Sequence, residues 1–335
     1  MVLDVLPNRD RKEAARGSRL PVNLTLTAAK STDSVTGNIG NTPLLHLKRV
    51  CADLPGVEIH AKAEYFNPGG SVKDRPALSM ILAGEKSGAF TSERILLDST
   101  SGNTGIAYAM ICAARGYRLK LCLPGNASPE RLRILRAYGA ELILTDPAEG
   151  ADGSTRLVKK IYAEDPDRYF YPDQYGNDAN WQAHFNGTGP EILQQTEGRV
   201  THFCALVGTG GTLVGTSRRL QRELPGVECV CVQPSSGFHG LEGTRHLETS
   251  IVPHIYDATV TSRTVTVDTE EAHRMVKRLA REEGILAGVS SGGNVCAALE
   301  IGGQLVREGR RGVIVTILCD GADRYLSERF WDEGA

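Results

Sequence analysis

Ile95-Leu96-Leu97-Asp98-Ser99-Thr100-Ser101-Gly102-Asn103-Thr104-Gly105-Ile106-Ala107-Tyr108-Ala109-Met110-Ile111 is the stretch from which the fold can be read. A short apolar run, a polar glycine-containing turn and a second apolar run predict a strand, a tight turn and a helix. Downstream, residues 119–123 read as a strand, 131–138 as a helix and 141–144 as another strand. Ser128 can cap that helix, Pro129 suits its first position, and Gly139 can end it. A β-α-β-α-β run of this kind predicts a parallel sheet with helices on both faces. The alternation resumes at Phe203-Cys204-Ala205-Leu206-Val207. Asp268 and Glu271 are placed for a capping box on a helix over 270–283, which Gly284 would stop. Residues 147–153 read as a loop. The expectation is an α/β fold of two lobes with a cleft between them, and ligands in such folds sit at the carboxyl ends of the strands.

Composition narrows the function. The 335 residues are 41% hydrophobic and 23% charged, with a net charge of −2, ordinary values for a globular chain with no electrostatic reason to bind nucleic acid. No apolar stretch has the ~18 residues of a membrane span, and the start of the chain lacks a signal-peptide layout, so a cytoplasmic protein acting on small molecules is expected. Residues 1–34 mix arginines with acids and read as an N-terminal extension. The lobes are expected at about 35–180 and 181–335, with early chain crossing between them. Eight dispersed cysteines without metal-ligand spacing fit reduced thiols, and Cys229 and Cys231 alternate onto one face of a strand as a small buried pair. The eight histidines form no HxxxH or HExxH pattern, so no metal is expected.

Chemistry is concentrated in three segments. Asn67-Pro68-Gly69-Gly70-Ser71-Val72-Lys73-Asp74-Arg75-Pro76 delivers one amine where a helix should begin. A lysine there is ordinarily a solvated charge, but beside a bound carbonyl cofactor it becomes a Schiff-base nucleophile. The loop 99–105 and a second loop, Gly208-Thr209-Gly210-Gly211-Thr212, each fall between a strand and a helix. Helix N-termini freed by glycine gather backbone amides into anion sites, here suited to one phosphate and one carboxylate. The second loop lacks the G-x-G-x-x-G spacing of a dinucleotide site and has no Walker lysine.

These three motifs, in this order, resemble the pyridoxal-phosphate-dependent cysteine synthases of the β-family, fold type II. The similarity runs from about Val35, through Gly40-Asn41-Thr42-Pro43-Leu44, to Asp320-Gly321-Ala322-Asp323-Arg324-Tyr325-Leu326-Ser327. Asp173-Gln174-Tyr175-Gly176-Asn177, Gly187-Thr188-Gly189-Pro190-Glu191 and Cys319-Asp320 look closest to cysteine synthase B and its O-phosphoserine-using relatives. Asp98, where many relatives have glutamate, and Gly321-Ala322, in place of a serine-glycine pattern, depart from the family.

The resemblance implies a fold type II enzyme with two open parallel-sheet α/β lobes and pyridoxal 5′-phosphate held by Lys73. Lys73 would then also shuttle the α-proton of the substrate. Gly208, Thr209, Gly210, Gly211 and Thr212 would cradle the phosphate; Asn103 would lie beside the 3′-oxygen. Thr100, Ser101, Gly102, Thr104 and Gln174 would hold the substrate carboxylate. Ser291, in Gly288-Val289-Ser290-Ser291-Gly292-Gly293, would face the pyridine nitrogen, where a neutral hydroxyl suits β-elimination and replacement. The implied reaction makes L-cysteine from O-acetyl-L-serine or O-phospho-L-serine and a sulfur nucleophile, with Arg245 the residue associated with phosphate. The leaving group stays open, as does the sulfur donor. Rival readings are a cystathionine β-synthase, a diaminopropionate synthase, and a catalytically inactive binding scaffold. The family further suggests a homodimer, and a sulfur-carrier protein or serine acetyltransferase as partner.

Overall fold

The computed structural model describes residues 33–100 and 102–333. The expected extension, save Asp33 and Ser34, and the site residue Ser101 lie outside them. Ser34–Ala335 is one compact unit. Its strands and helices, in chain order, are β1 (Leu44–Leu47), β2 (Val57–Ala63), α1 (Asp74–Ser87), β3 (Ile95–Ser99), α2 (Asn103–Arg115), β4 (Arg118–Pro124), α3 (Pro129–Ala137), β5 (Glu141–Thr145), α4 (Gly150–Glu164) and β6 (Tyr169–Phe170). There follow α5 (Ala179–Ala183), α6 (Gly189–Gln195), β7 (His202–Leu206), α7 (Gly211–Glu223), β8 (Glu228–Pro234), β9 (Arg263–Val267), α8 (Thr269–Arg278), α9 (Val289–Arg307) and β10 (Gly312–Leu318).

Two sheets result. The smaller, in the order β5-β4-β3-β6, is parallel throughout and comes from one continuous stretch of chain. The larger runs β1-β2-β10-β7-β8-β9, so β10, from the far end of the chain, lies between β2 and β7. It is not wholly parallel: β1 turns back on β2 as an antiparallel edge, Leu44 opposite Lys62 and Leu47 opposite Ile59. All of β10 is buried, as expected of a central strand covered on both faces. Tyr108, Met80, Ile81 and Leu96 fill the core of the smaller sheet, while α9 and α8 pack Ile301, Val295 and Val276 over one face of the larger.

Local signals mostly act as expected. Ser128 Oγ accepts from the Arg131 amide at 3.4 Å, with Pro129 opening α3, and Gly139 follows with φ 85°. Cys229 and Cys231 are both buried in the core. The capping box at α8 does not form, because the Asp268 carboxylate accepts from the Ser235 hydroxyl instead. That helix leaves α geometry at Leu279 and ends in a π-helical turn closed by Gly284. The loop expected over 147–153 is a 3-10 turn, Pro147–Glu149, running into α4 at Gly150; Asp146 accepts from the Ala148 amide and starts it.

Candidate active site

β2 ends in a helical turn, Glu64–Phe66, and the chain then enters the turn that carries Lys73. Asn67 shapes it: its Nδ2 donates to Glu64 O at 2.8 Å and Ser71 O at 3.1 Å, and its Oδ1 accepts from the Gly40 amide at 2.8 Å. Gly70 sits at φ 79°, a conformation that side chains resist. The Val72 amide donates to Cys319 O at 2.8 Å, and Ser71 bridges to Asp320, tying the turn to the end of β10. Lys73 precedes α1, half-buried, with its amine opening onto a cleft of about 460 Å³. Among the described residues that amine has no hydrogen-bond partner.

A buried charge network braces the turn from behind. Arg75 Nε donates to Glu64 at 2.6 Å and its Nη1 to Glu191 at 2.7 Å; Lys62 meets the same Glu191 at 2.6 Å. Burial raises the Glu191 carboxyl, but the hydrogen bonds and charges of Arg75 and Lys62 outweigh it and bring the pKa down to about 2. Asp74 is the opposite case. Burial pushes its carboxyl up to about 7, although Oδ2 accepts from the Gly69 amide at 2.5 Å.

Both glycine-rich loops face this cleft. At the carboxyl end of β3, Thr100, Gly102, Asn103 and Thr104 line it, Gly102 standing just before α2. Thr104 Oγ1 donates to Gln174 Oε1 at 3.0 Å, and Thr100 Oγ1 accepts from the Gly102 amide at 3.3 Å. At the carboxyl end of β7, Gly208, Thr209, Gly210 and Thr212 line it, and Gly211 opens α7. This loop has close walls: Gly210 has φ 90°, and a Cβ on Gly211 would lie 2.0 Å from Asn180 Oδ1. Asn180 Nδ2 in turn donates to Gln174 O at 2.7 Å and Thr209 Oγ1 at 3.1 Å, linking the two loops.

The remaining wall comes from α9 and the end of β10. Ser290, Asn294, Cys319, Asp320 and Tyr325 line the cleft. Ser291 does not: it is fully buried, and its hydroxyl accepts from the Cys319 amide at 2.9 Å, so it holds the backbone behind the wall. The helix begins at Val289, two residues before Ser291, which turns that side chain away and leaves Ser290 facing in. Asn294 receives the Leu206 amide at 2.7 Å and donates to Ile317 O at 2.8 Å, joining β7 and β10 where they open onto the site. Asn103 is already engaged: its Nδ2 donates to Asp320 Oδ2 at 2.7 Å and its Oδ1 accepts from Arg324. The Asp320 carboxyl is raised by burial, opposed by hydrogen bonds from Tyr325 and Asn103, and its Oδ1 has no partner among the described residues.

Arg245 stands at the mouth, its guanidinium 4.7 Å from the centre of the Tyr175 ring. It forms no ion pair with a described residue. Nearby, Arg131 of α3 reaches across to Glu242, its Nη2 2.7 Å from Oε2.

The structure thus brings Lys73, both loops, Gln174 and Arg245 to one cavity, while Ser101 lies outside the described residues. Ser290, Asn294 and Asn180 were missed in the sequence. Ser290 was one residue from the chosen serine; nothing in the sequence marked the two asparagines, whose roles come from long-range packing.

The residues suit pyridoxal 5′-phosphate: an amine without a partner, a glycine-built anion site at a helix start, and a buried carboxylate oxygen still lacking a donor share one cleft. Comparison with known proteins agrees. The pyridoxal-phosphate dependent enzyme family matches residues 35–320. A cysteine synthase of Aquifex aeolicus is 47% identical over 306 residues, covering 91% of this chain and 94% of that protein. Cysteine synthase B of Pseudomonas aeruginosa is 45% identical over 294 residues, covering 88% and 96%. Among solved structures, isoform 3 of O-acetylserine sulfhydrylase from Entamoeba histolytica superposes with a TM-score of 0.87 at 32% identity, covering 94% of this chain and 96% of that one. With its fold, its cleft and these relatives in agreement, the chain belongs to the cysteine synthase family of pyridoxal-phosphate-dependent enzymes.

Proposed function

We propose that this protein makes L-cysteine by exchanging the β-substituent of an activated L-serine for a sulfur nucleophile. The observation that carries the reading is that the Lys73 amine opens into the same cavity as two glycine-rich helix starts. An amine, a phosphate site and a carboxylate site are what this chemistry requires. Pyridoxal 5′-phosphate, when bound, supplies the electron sink for bonds broken at the substrate's α-carbon.

In this reading Lys73 Nζ would hold the cofactor and, as a free amine, would take the proton from the substrate's α-carbon. The amides of 208–212, with the Thr209 and Thr212 hydroxyls, hold the phosphate at the start of α7. Thr100, Ser101, Gly102, Thr104 and Gln174 grip the substrate carboxylate, aided by the positive end of α2. Asn103 stands beside the 3′-oxygen, in exchange for part of its bonding to Asp320 and Arg324. Ser290, on the cleft wall, replaces Ser291 as the hydroxyl offered to the ring nitrogen. A hydroxyl there leaves the nitrogen neutral, which favours prompt loss of a β-leaving group.

Arg245, without an acid partner among the described residues, favours a phosphate leaving group, so O-phospho-L-serine is the first donor and O-acetyl-L-serine the second. The family likeness supports a homodimer with lobes near 35–180 and 181–335, a cytoplasmic setting, and a sulfur-carrier protein or serine acetyltransferase as partner. Among the described residues, no helix is long and apolar enough to cross a membrane. The test is incubation with either donor, with and without sulfide, while L-cysteine is measured. Cysteine formed only with sulfide supports the proposal. Consumption of neither donor, or a product that does not depend on the sulfur source, overturns it.

A further inference from the structure

Away from the cleft, the antiparallel pair β1–β2 sets His46 opposite His60, with the rings stacked 4.5 Å apart. Glu58 lies two residues before His60 and so on the same face of the strand, its Oε2 3.0 Å from His60 Nε2. One ligand atom from each of the three lies within 4.8 Å of the others, the one such cluster among the described residues. None of them lines the cleft. We propose that His46, Glu58 and His60 form a zinc site that staples β1 to β2.

The donor set selects the ion. Two imidazoles and one carboxylate suit borderline Zn²⁺, whereas Mg²⁺ and Ca²⁺ prefer an all-oxygen shell. Tetrahedral zinc wants neighbouring ligand atoms roughly 3.4 Å apart. Ligand atoms that lie within 4.8 Å of one another must close by at most about 1.4 Å, which side-chain rotation supplies because His46 is exposed and the other two are half-buried. Water completes the shell. Arg199 Nη1 donates to both Glu58 oxygens, at 3.1 Å to Oε1 and 3.2 Å to Oε2, and fixes the carboxylate as an outer-shell partner does, with Oε2 also 3.0 Å from His60 Nε2. Lys48 and Arg199 oppose a cation by charge, and Glu58 and Glu283 favour it. β1 is an edge strand of only four residues, so a clip across it adds more than it would at the sheet centre.

The probe is Zn²⁺ titrated calorimetrically into the cofactor-loaded enzyme, with a non-thiol reductant, for wild type, His46→Gln and His60→Gln. The wild type should bind about one equivalent at micromolar affinity, each variant at least tenfold more weakly. Zn²⁺ in large excess should raise the wild-type Tm by a few degrees, Mg²⁺ should not, and the variants should not respond. Variants that bind as wild type does, the result if cysteines take the zinc, overturn the proposal. So does a wild type that binds no zinc up to about 1 mM, or one stabilised equally by Mg²⁺.

Discussion

The two glycine-rich loops occupy equivalent places, each between a parallel strand and a helix, yet they are held in different ways. The loop before α7 is fixed by its backbone: Gly210 has a positive φ, Gly208 leaves no room for a Cβ beside Gly243 O, and Gly211 abuts Asn180. The loop before α2 is fixed by its side chains, through Thr104 to Gln174 and Asn103 to Asp320 and Arg324. Backbone geometry suits a ligand that stays bound; exchangeable side-chain bonds suit one that arrives and leaves with each turnover. That difference supports the proposed division of labour, with the loop before α7 for the cofactor phosphate and the loop before α2 for the substrate carboxylate.

The largest test removes the amine between them. Lys73→Ala should lower kcat by about 10²–10⁴-fold and abolish the visible band of the cofactor–lysine linkage, while the 208–212 loop still binds cofactor noncovalently. Loss of all cofactor affinity in a folded variant would break the comparison, since the rigid loop would then need the covalent anchor.

Arg245→Ala is next. With O-phosphoserine it should cost roughly 2–5 kcal/mol in kcat/KM, and with O-acetylserine much less, measured at fixed salt because phosphate recognition is screened. Equal losses would make Arg245 a support for the cleft mouth through its stacking on Tyr175. Gly211→Ala sharpens the comparison from the rigid side. Its methyl must displace Asn180 from Gln174 and Thr209, so a loss of about 1–3 kcal/mol in stability and weaker cofactor retention are expected. Thermal unfolding and dialysis against cofactor-free buffer measure the two effects. On the other side, Thr104→Val should raise KM for the amino acid several-fold, a hydrogen bond being worth about 1 kcal/mol, with cofactor binding unchanged.

A further test lies in the turn that carries Lys73. The folded Asp74 carboxyl titrates at about 7, above its unfolded value near 3.8, so the folded state binds the proton more tightly. Its contribution is full below pH ~4 and falls as pH rises toward and through 7. Urea unfolding at pH 5 and pH 8 should show a smaller pH difference in Asp74→Asn than in wild type. An identical difference would mean that Asp74 is already charged in the folded protein.

How much of this was legible follows the range of the forces. The strand-turn-helix units around Ile95 and Phe203 were readable because each depends on neighbours in sequence: apolar runs, glycines, the Ser128 cap. The cleft was readable because parallel α/β sheets put loops of that kind at one edge. Which of Ser290 and Ser291 faces the cleft was not legible, because the phase of α9, set where the chain leaves Gly288, decides it. The capping box at Asp268 failed because Ser235, thirty-three residues away in the chain, took its carboxylate. Antiparallel β1 was unreadable for the same reason, as it pairs by register and not by periodicity.

Val57 pairs with Gly312 and Ala63 with Leu318, so the middle of the larger sheet joins positions some 250 residues apart. At a synthesis rate of roughly 5–20 residues per second, β2 waits about 12–50 s on the ribosome for the strand that completes it. The smaller sheet needs only the chain from β3 to β6, and can close while the rest is still being made. The nascent protein therefore carries Ile59 and Ala61, buried in the finished molecule, without their β10 neighbours until translation is nearly over. Its vulnerability to misassembly is concentrated in that interval and in that strand.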